Sequence, residues 1–313
     1  METLTSRVKA RGLALGFTKV GIAEAAPLED HALRLHEWLS RGYQGSMQWM
    51  GRNEEKRGDP RRVLPGCRSV IVVAMNYYTD IAHREEAGKG RISRYAWGDD
   101  YHDLLSSRLQ LLREWLLEEN PGSEAKLYVD TGPVMEKVWA ERAGIGWEGK
   151  HTNVITPEVG SWVFLGEILT TLSLERDEPG VDHCGDCALC IDACPTGALV
   201  EPYVLDSRLC ISYLTVEHKG PIDPEIGRNF DGWVYGCDTC QDVCPWNSKF
   251  ARPTVEKAFM PRDGNIAPDL QTWRNMGPEE FRARFKGSPV TRTRLEGLKR
   301  NIREVLQEGD TTS

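Results

Sequence analysis

Cys184-Gly-Asp-Cys187-Ala-Leu-Cys190-Ile-Asp-Ala-Cys194-Pro195 is the stretch whose spacing says most about the architecture of this chain. Four cysteines separated by two, two and three residues and closed by a proline let a tight turn aim three thiolates at one cubane, while the fourth reaches a second. A partial second copy, Cys237-x-x-Cys240-x-x-x-Cys244-Pro245, follows without its leading cysteine, and Cys210 is the free candidate to replace it. Pseudo-symmetric crossing then assigns Cys184, Cys187, Cys190 and Cys244 to one [4Fe-4S] cluster, and Cys194, Cys210, Cys237 and Cys240 to the other. Structural zinc wants paired Cys-x-x-Cys and tetrahedral closure. Disulfides suit an exported chain, and a lone redox Cys-x-x-Cys leaves the other thiols without a role. Cys67, alone in Pro65-Gly-Cys-Arg68, reads as a small buried hydrophobe.

Eight of the nine cysteines fall between Cys184 and Cys244, which marks residues 178–247 as a bacterial ferredoxin-like, two-cluster module. Upstream, residues 1–177 alternate helical and extended patterns and read as an α/β (α+β) domain. Helices are expected at Leu4–Leu15, at Leu28–Leu39 after Pro27, at Tyr101–Leu117 and at Val134–Ala143. Strands are expected at Lys19–Ala23, Ser69–Tyr77 and Lys126–Val129. Trp162–Leu172 fits a strand or a helix. The Tyr101 helix carries Leu104, Leu105, Leu109, Leu112, Trp115 and Leu116 as one apolar stripe, and Asn120-Pro-Gly ends it. Downstream, residues 248–313 form a basic segment, helical from Arg294 to Leu306.

Two one-electron clusters make a wire, so the upstream domain is expected to hold the acceptor. The 313 residues, 40% hydrophobic and 27% charged with mean hydropathy −0.46, describe a globular chain. The N-terminus lacks the apolar core of an export signal, and the longest apolar runs fall short of a membrane span, the second of them interrupted by Glu167. A cytoplasmic location without membrane attachment is expected. The net charge of −8 hides an asymmetry: Arg282, Arg284, Lys286, Arg292, Arg294, Lys299, Arg300 and Arg303 stand against Glu296 alone. Such a run is either a nucleic-acid footprint or a solvated helix face.

Several shorter signals need weighing. Gly144-Ile-Gly146-Trp-Glu-Gly149-Lys150 matches a dinucleotide fingerprint but follows a helix instead of a strand, so a tight glycine turn is the better reading. Asp100-Tyr-His102-Asp-Leu-Leu105 begins like a cobalt-ligating histidine box, but Leu105 stands where glycine is needed. Asp130-Thr-Gly132-Pro133 puts a carboxylate between strand and helix, where it caps the helix or points into a cleft. Arg91-Ile-Ser-Arg94-Tyr-Ala-Trp97 interleaves cations and aromatics, as single-stranded RNA readers and plain surface loops both do.

Taken in order, Glu55-Lys-Arg57, Arg94-Tyr-Ala-Trp-Gly-Asp-Asp-Tyr-His102, Val129-Asp-Thr-Gly-Pro133, Ala140-Glu-Arg-Ala-Gly-Ile-Gly-Trp147 and the two cysteine runs resemble the epoxyqueuosine reductase family over nearly the whole chain. The resemblance implies a nitroreductase-like cobalamin-binding domain and the reduction of epoxyqueuosine to queuosine at the wobble position of tRNA, the last step of queuosine synthesis. Base-off cobalamin would be fed by the two clusters. Asp130 is the expected acid, and a carboxyl protonated near neutral pH needs its pKa raised by burial or a neighbouring negative charge.

By position, Arg57, Ser93, Asp130, Val154, Leu165, Ser212 and Asp238 match family positions lining the cobalamin. Lys219 lies near a tRNA-contacting stretch, and Arg94, Tyr101 and His102 are further substrate-side candidates. A low-potential electron donor is required, and a monomer is expected. The same cofactors also suit a reductive dehalogenase, which typically begins with a twin-arginine signal, or a non-catalytic corrinoid or electron-transfer protein, which has no need of Asp130.

Overall fold

The computed structural model describes residues 3–83 and 86–307. Residues 1–2 and 308–313, the outer ends of the first and third segments assigned above, lie outside the described residues. The upstream domain is built on a four-stranded sheet in the order Lys19–Glu24, Ser69–Asn76, Val163–Thr170, Ala125–Tyr128. Every neighbouring pair is antiparallel.

Ser69–Asn76 sits second in that order and is buried along its whole length, as the unbroken apolar run Val70–Met75 within it requires. Its side chains alternate between two cores. Ile71, Val73 and Met75 pack with Leu105, Leu109, Leu112 and Leu116 of the long helix Tyr101–Glu119. Val70, Val72 and Ala74 pack with Trp139 and Ala140 of the helix Glu136–Arg142 on the other face. Trp162–Leu172 resolves as a strand, Val163–Thr170, because it pairs on both sides.

The expected helix at Val134 begins later, at Glu136, with Met135 as its N-cap. Pro133 is therefore outside the helix, and Asp130 is not its cap. The other boundaries fall within about two residues of the sequence reading, the usual ambiguity of helix and strand ends.

In the cysteine module two short helices, Leu189–Asp192 and Thr239–Asp242, pack against each other. The module is tied to the upstream domain by a short parallel pairing of Trp233–Tyr235 with Arg91–Ile92. The C-terminal segment closes over both: Ile92, Trp97, Val216, Val234 and Tyr235 share one core with Trp273, Phe285, Leu298 and Ile302. Among the described residues no helix is long and apolar enough to cross a membrane.

Candidate active site

Asp130 sits in the loop between the strand Ala125–Tyr128 and the helix Glu136–Arg142, at φ 60°, a left-handed conformation that Asp and Asn tolerate better than most side chains. Its backbone N–H donates to Glu136 Oε1. Gly132 makes the turn feasible, since a Cβ there would stand 2.3 Å from the Tyr128 ring. The Asp130 side chain, 58% exposed, accepts a 2.9 Å hydrogen bond from the Tyr101 hydroxyl and faces His102 Nε2 at 3.4 Å. His102 Nδ1 in turn lies 2.7 Å from Oδ1 of Asp100, the residue that caps the helix carrying both. Tyr101 is held flat on Phe164, ring centroids 4.1 Å apart.

The electrostatics reverse one expectation. His102 facing it, joined by the Tyr101 hydroxyl, holds the Asp130 carboxyl below the ordinary aspartate range. The proton sits instead on its neighbours. Burial opposes charging of His102, but its bonds to Asp100 and Asp130 outweigh this and lift it to about 9. Burial, reinforced by the Asp130 charge, pushes Glu136 up to about 8. Glu167, fully buried beneath this group with both carboxyl oxygens unpartnered, is raised well above its usual value by desolvation and then by Glu136 and Asp130. With a carboxylate facing each ring nitrogen, His102 is favoured as the imidazolium, hydrogen-bonded to Asp100 and ion-paired with Asp130.

The residues matched to a corrinoid fall into two groups. Arg57 is buried, stacks 5.8 Å from the Trp49 ring, and has an Nε without a hydrogen-bond partner. Val154 and the half-buried Leu165 belong to one apolar cluster under the Glu136 helix. Ser93 and Asp238 are buried and hydrogen-bonded to each other, and the Arg94 backbone N–H donates to Asp238 at 2.8 Å. Ser212 is half-buried next to Cys210 in the chain.

Each cysteine set assigned above is brought together. Burial raises the Cys190 thiol, and the charges of Cys184, Cys244 and Cys187 add to it. Burial likewise raises Cys240 far above its ordinary value, helped by Cys237, Cys210 and Cys194. Thiols this crowded and desolvated are thiolates only when a metal holds them. In the first set Cys187 is exposed while Cys190 and Cys244 are buried, and in the second all four cysteines are partly exposed, with Cys237 and Cys240 the most strongly desolvated by surrounding protein; the first site is called outer for Cys187 and the second inner.

The cationic candidates divide. Lys219 is exposed, with Nζ bonded to Val216 and Arg292 carbonyls at 3.0 Å. Arg94 departs from the substrate-side reading: its guanidinium is buried, bonds the Thr79 and Ile81 carbonyls and stacks on Tyr78, Trp97 and Trp162. Together with buried Trp97, this makes the 91–97 segment interior structure and not an exposed RNA reader. The basic run is also not one solvated face. Arg300 is buried and bonds the carbonyls of Leu214, His218 and Gly220; Arg292 is paired with Glu217; Arg284 lies over Trp273. Arg282, Lys286, Arg294 and Arg303 remain exposed.

Sequence reasoning passed over Asp100, Glu136 and Glu167 as site residues. A charged residue inside an otherwise apolar strand was the signal for Glu167, and a carboxylate six residues after Asp130 was the signal for Glu136.

A cluster of carboxylates around one histidine, in a mixed α/β fold that also carries a module of eight crowded thiols, is the make-up of a redox enzyme. The family model "Epoxyqueuosine reductase QueG, DUF1730" matches residues 57–131, and "4Fe-4S double cluster binding domain" matches residues 183–247. The chain is 46% identical over 309 residues to the epoxyqueuosine reductase of Atelocyanobacterium thalassa, covering 98% of this chain and 100% of that one. It superposes on a crystal structure of epoxyqueuosine reductase with an epoxyqueuosine-modified tRNA-Tyr stem loop at TM-score 0.91 and 34% identity, covering 97% of this chain and 80% of that one. A Bacillus subtilis epoxyqueuosine reductase, solved with its catalytic aspartate loop swung out of the active site, matches at TM-score 0.90 and 32% identity, covering 97% and 81%. The chain belongs to the epoxyqueuosine reductase family and is an oxidoreductase.

Proposed function

We propose that this enzyme reduces epoxyqueuosine at the tRNA wobble position to queuosine, with cobalamin bound beside Asp130 and electrons arriving through two [4Fe-4S] clusters. The observation that carries the reading is the Asp100–His102–Asp130 relay, which presents a proton at an exposed carboxylate. On this reading residues 1–177 are the nitroreductase-like cofactor domain, 178–247 the ferredoxin-like module and 248–313 the basic segment. The enzyme works as a cytoplasmic monomer served by a low-potential donor.

The chain's donor set fits a corrinoid: the unpartnered Nε of buried Arg57 suits an amide or phosphate oxygen, and Val154 with Leu165 offers an apolar side. When bound, the corrinoid supplies the electron pair that opens the epoxide at carbon. Removing the oxygen as water and leaving an alkene consumes two electrons and two protons. His102 passes a proton to Asp130, whose carboxyl gives it to the epoxide oxygen as the C–O bond breaks. After His102 has taken a proton from solvent and passed it on, Asp130 supplies this second proton as the hydroxyl leaves. Tyr101 fixes the carboxyl's orientation, and Lys219 with Arg294 receives anticodon-loop phosphates.

The test is single-turnover conversion of an epoxyqueuosine stem loop by anaerobically reconstituted, chemically reduced protein. Loss of one oxygen from the base, dependent on a bound corrinoid seen in the absorption spectrum, is expected. Cluster-loaded protein that converts the substrate equally well without corrinoid overturns the cofactor assignment.

A further inference from the structure

Glycines 144, 146 and 149, read from sequence as a tight turn, seat a hairpin of Trp147–Glu148 and Val154–Ile155 against the cysteine module. A Cβ at Gly146 would fall 2.0 Å from the Ile155 carbonyl oxygen, and one at Gly180 would fall 1.7 Å from the Gly146 carbonyl oxygen, so the segment is pressed onto its neighbours. What this close seating delivers is Trp147. Its side chain is 1% exposed and packs with Ile155, Cys244, Cys184 and Trp246. His183 and Trp246 close on its ring at centroid distances of 5.0 and 4.7 Å.

The indole Nε1–H is buried and has no hydrogen-bond partner in the protein. An orphaned donor of this kind is destabilising unless something accepts from it. Cys184 and Cys244, both assigned to the outer set, are the thiols packed against this ring. The Lys150 ammonium straps the same turn, donating to the carbonyls of Gly185 at 2.6 Å and Cys187 at 3.0 Å. The indole N–H and the Lys150 ammonium, both from the upstream domain, thus lie at the outer cluster site.

We propose that Trp147 Nε1–H donates to the Cys184 thiolate of the outer [4Fe-4S] cluster and, with Lys150, raises that cluster's reduction potential, so that the first of the two electrons waits there. The proposal rests on the two-cluster reading. Reduction adds one negative charge to the cluster, and an N–H···S bond or a nearby cation stabilises the charged form, which shifts the potential upward. Trp147 and Lys150 act through the cluster and are positioning residues. The inner cluster, which Trp147 does not touch through its own ligand set, is the internal control.

The test is an EPR-monitored redox titration of the fully loaded holoprotein, with iron and sulfide measured on each sample. Trp147→Phe keeps the ring and removes the N–H. At the wild-type midpoint of the outer cluster the reduced-to-oxidised ratio is expected to fall about 3- to 10-fold, tenfold being 59 mV for one electron. Lys150→Met should move the same cluster in the same direction, and the inner potential should hold. Wild-type protein labelled with indole-¹⁵N tryptophan should show a nitrogen coupling to the reduced outer cluster. Loaded variants with both potentials unchanged overturn the proposal. If Trp147→Phe does not load, the coupling decides: its presence supports the bond and its absence overturns it. A wild-type protein that never holds two clusters fails the underlying reading instead, and iron content alone reveals that.

Discussion

His102 bridges two carboxylates, with Nδ1 2.7 Å from Asp100 Oδ1 and Nε2 3.4 Å from Asp130 Oδ2. One residue back, the Tyr101 hydroxyl donates to the same Asp130 oxygen at 2.9 Å. On the proposed function, the acid of this site is a relay and not a lone protonated aspartate. The usual route to a carboxylic acid near neutral pH, desolvation, is assigned here to Glu136 and Glu167.

The relay predicts an alkaline limb. His102 is lifted to about 9 despite its burial, so the single-turnover rate should hold through neutral pH and fall as pH rises through that value. The same sign applies to stability: the contribution of His102 is complete below its unfolded pKa, about 6.5, and is lost through about 9. His102→Gln should slow turnover by about 10- to 100-fold and remove the limb. A Gln variant with the wild-type limb intact would assign the titration to another group.

Asp130→Asn preserves size, and asparagine accepts the φ 60° backbone at this position. Clusters and corrinoid should remain, whereas conversion of epoxyqueuosine should fall about 10²-fold or more, the scale of a positioned acid. The His102 pKa, followed by NMR, should drop toward its ordinary value once the carboxylate is gone. A fully loaded Asn variant turning over at the wild-type rate would remove Asp130 from the chemistry.

Cys210→Ala should leave one cluster, about four irons in place of about eight, because Cys240 and Cys237 lose a partner that the outer set does not use. Iron analysis returning two full clusters would show that another ligand completes the inner site.

The basic run predicts two different phenotypes. Lys219→Ala with Arg294→Ala should weaken stem-loop binding and flatten the slope of log affinity against log salt by about 0.7–0.9 for each phosphate that is no longer neutralised. Arg300→Ala should leave the slope alone and lower Tm, because it strips the Leu214, His218 and Gly220 carbonyls of their buried donor at about 1–3 kcal/mol per unsatisfied group. Equal slopes for the double variant and wild type would return those two cations to a solvated surface.

Glu167 is a buried acid with a raised pKa, so the folded state holds its proton where the unfolded state has lost it, and stability falls as pH rises above the unfolded value of 4.5. Glu167→Gln should therefore raise Tm, with a gain that grows by up to about 1.4 kcal/mol per pH unit between pH 5 and 8. A gain independent of pH, or a loss, would mean that the carboxyl is ionised in the fold.

Local spacing alone determined the cysteine module, because cluster ligation is set by short turns that a few consecutive residues specify. The same holds for the Tyr101 helix and the strand at Ser69, whose periods of apolar residues name their buried faces. Cys210 was the thiol the sequence offered for the gap left by a missing ligand, and the fold sets it in one desolvated group with Cys194, Cys237 and Cys240. Trp162–Leu172 was not legible, as its strand identity depends on pairing with segments some 40 and 90 residues away in the chain. Nor was the state of Asp130: a pKa is fixed by which charges lie within a few ångströms, and Asp100, His102, Glu136 and Glu167 meet only when the sheet, the long helix and the following loop are packed. Arg94 and Arg300 carry the same lesson, since a cation reads alike in sequence whether it faces phosphate or caps buried carbonyls, and only burial separates the two.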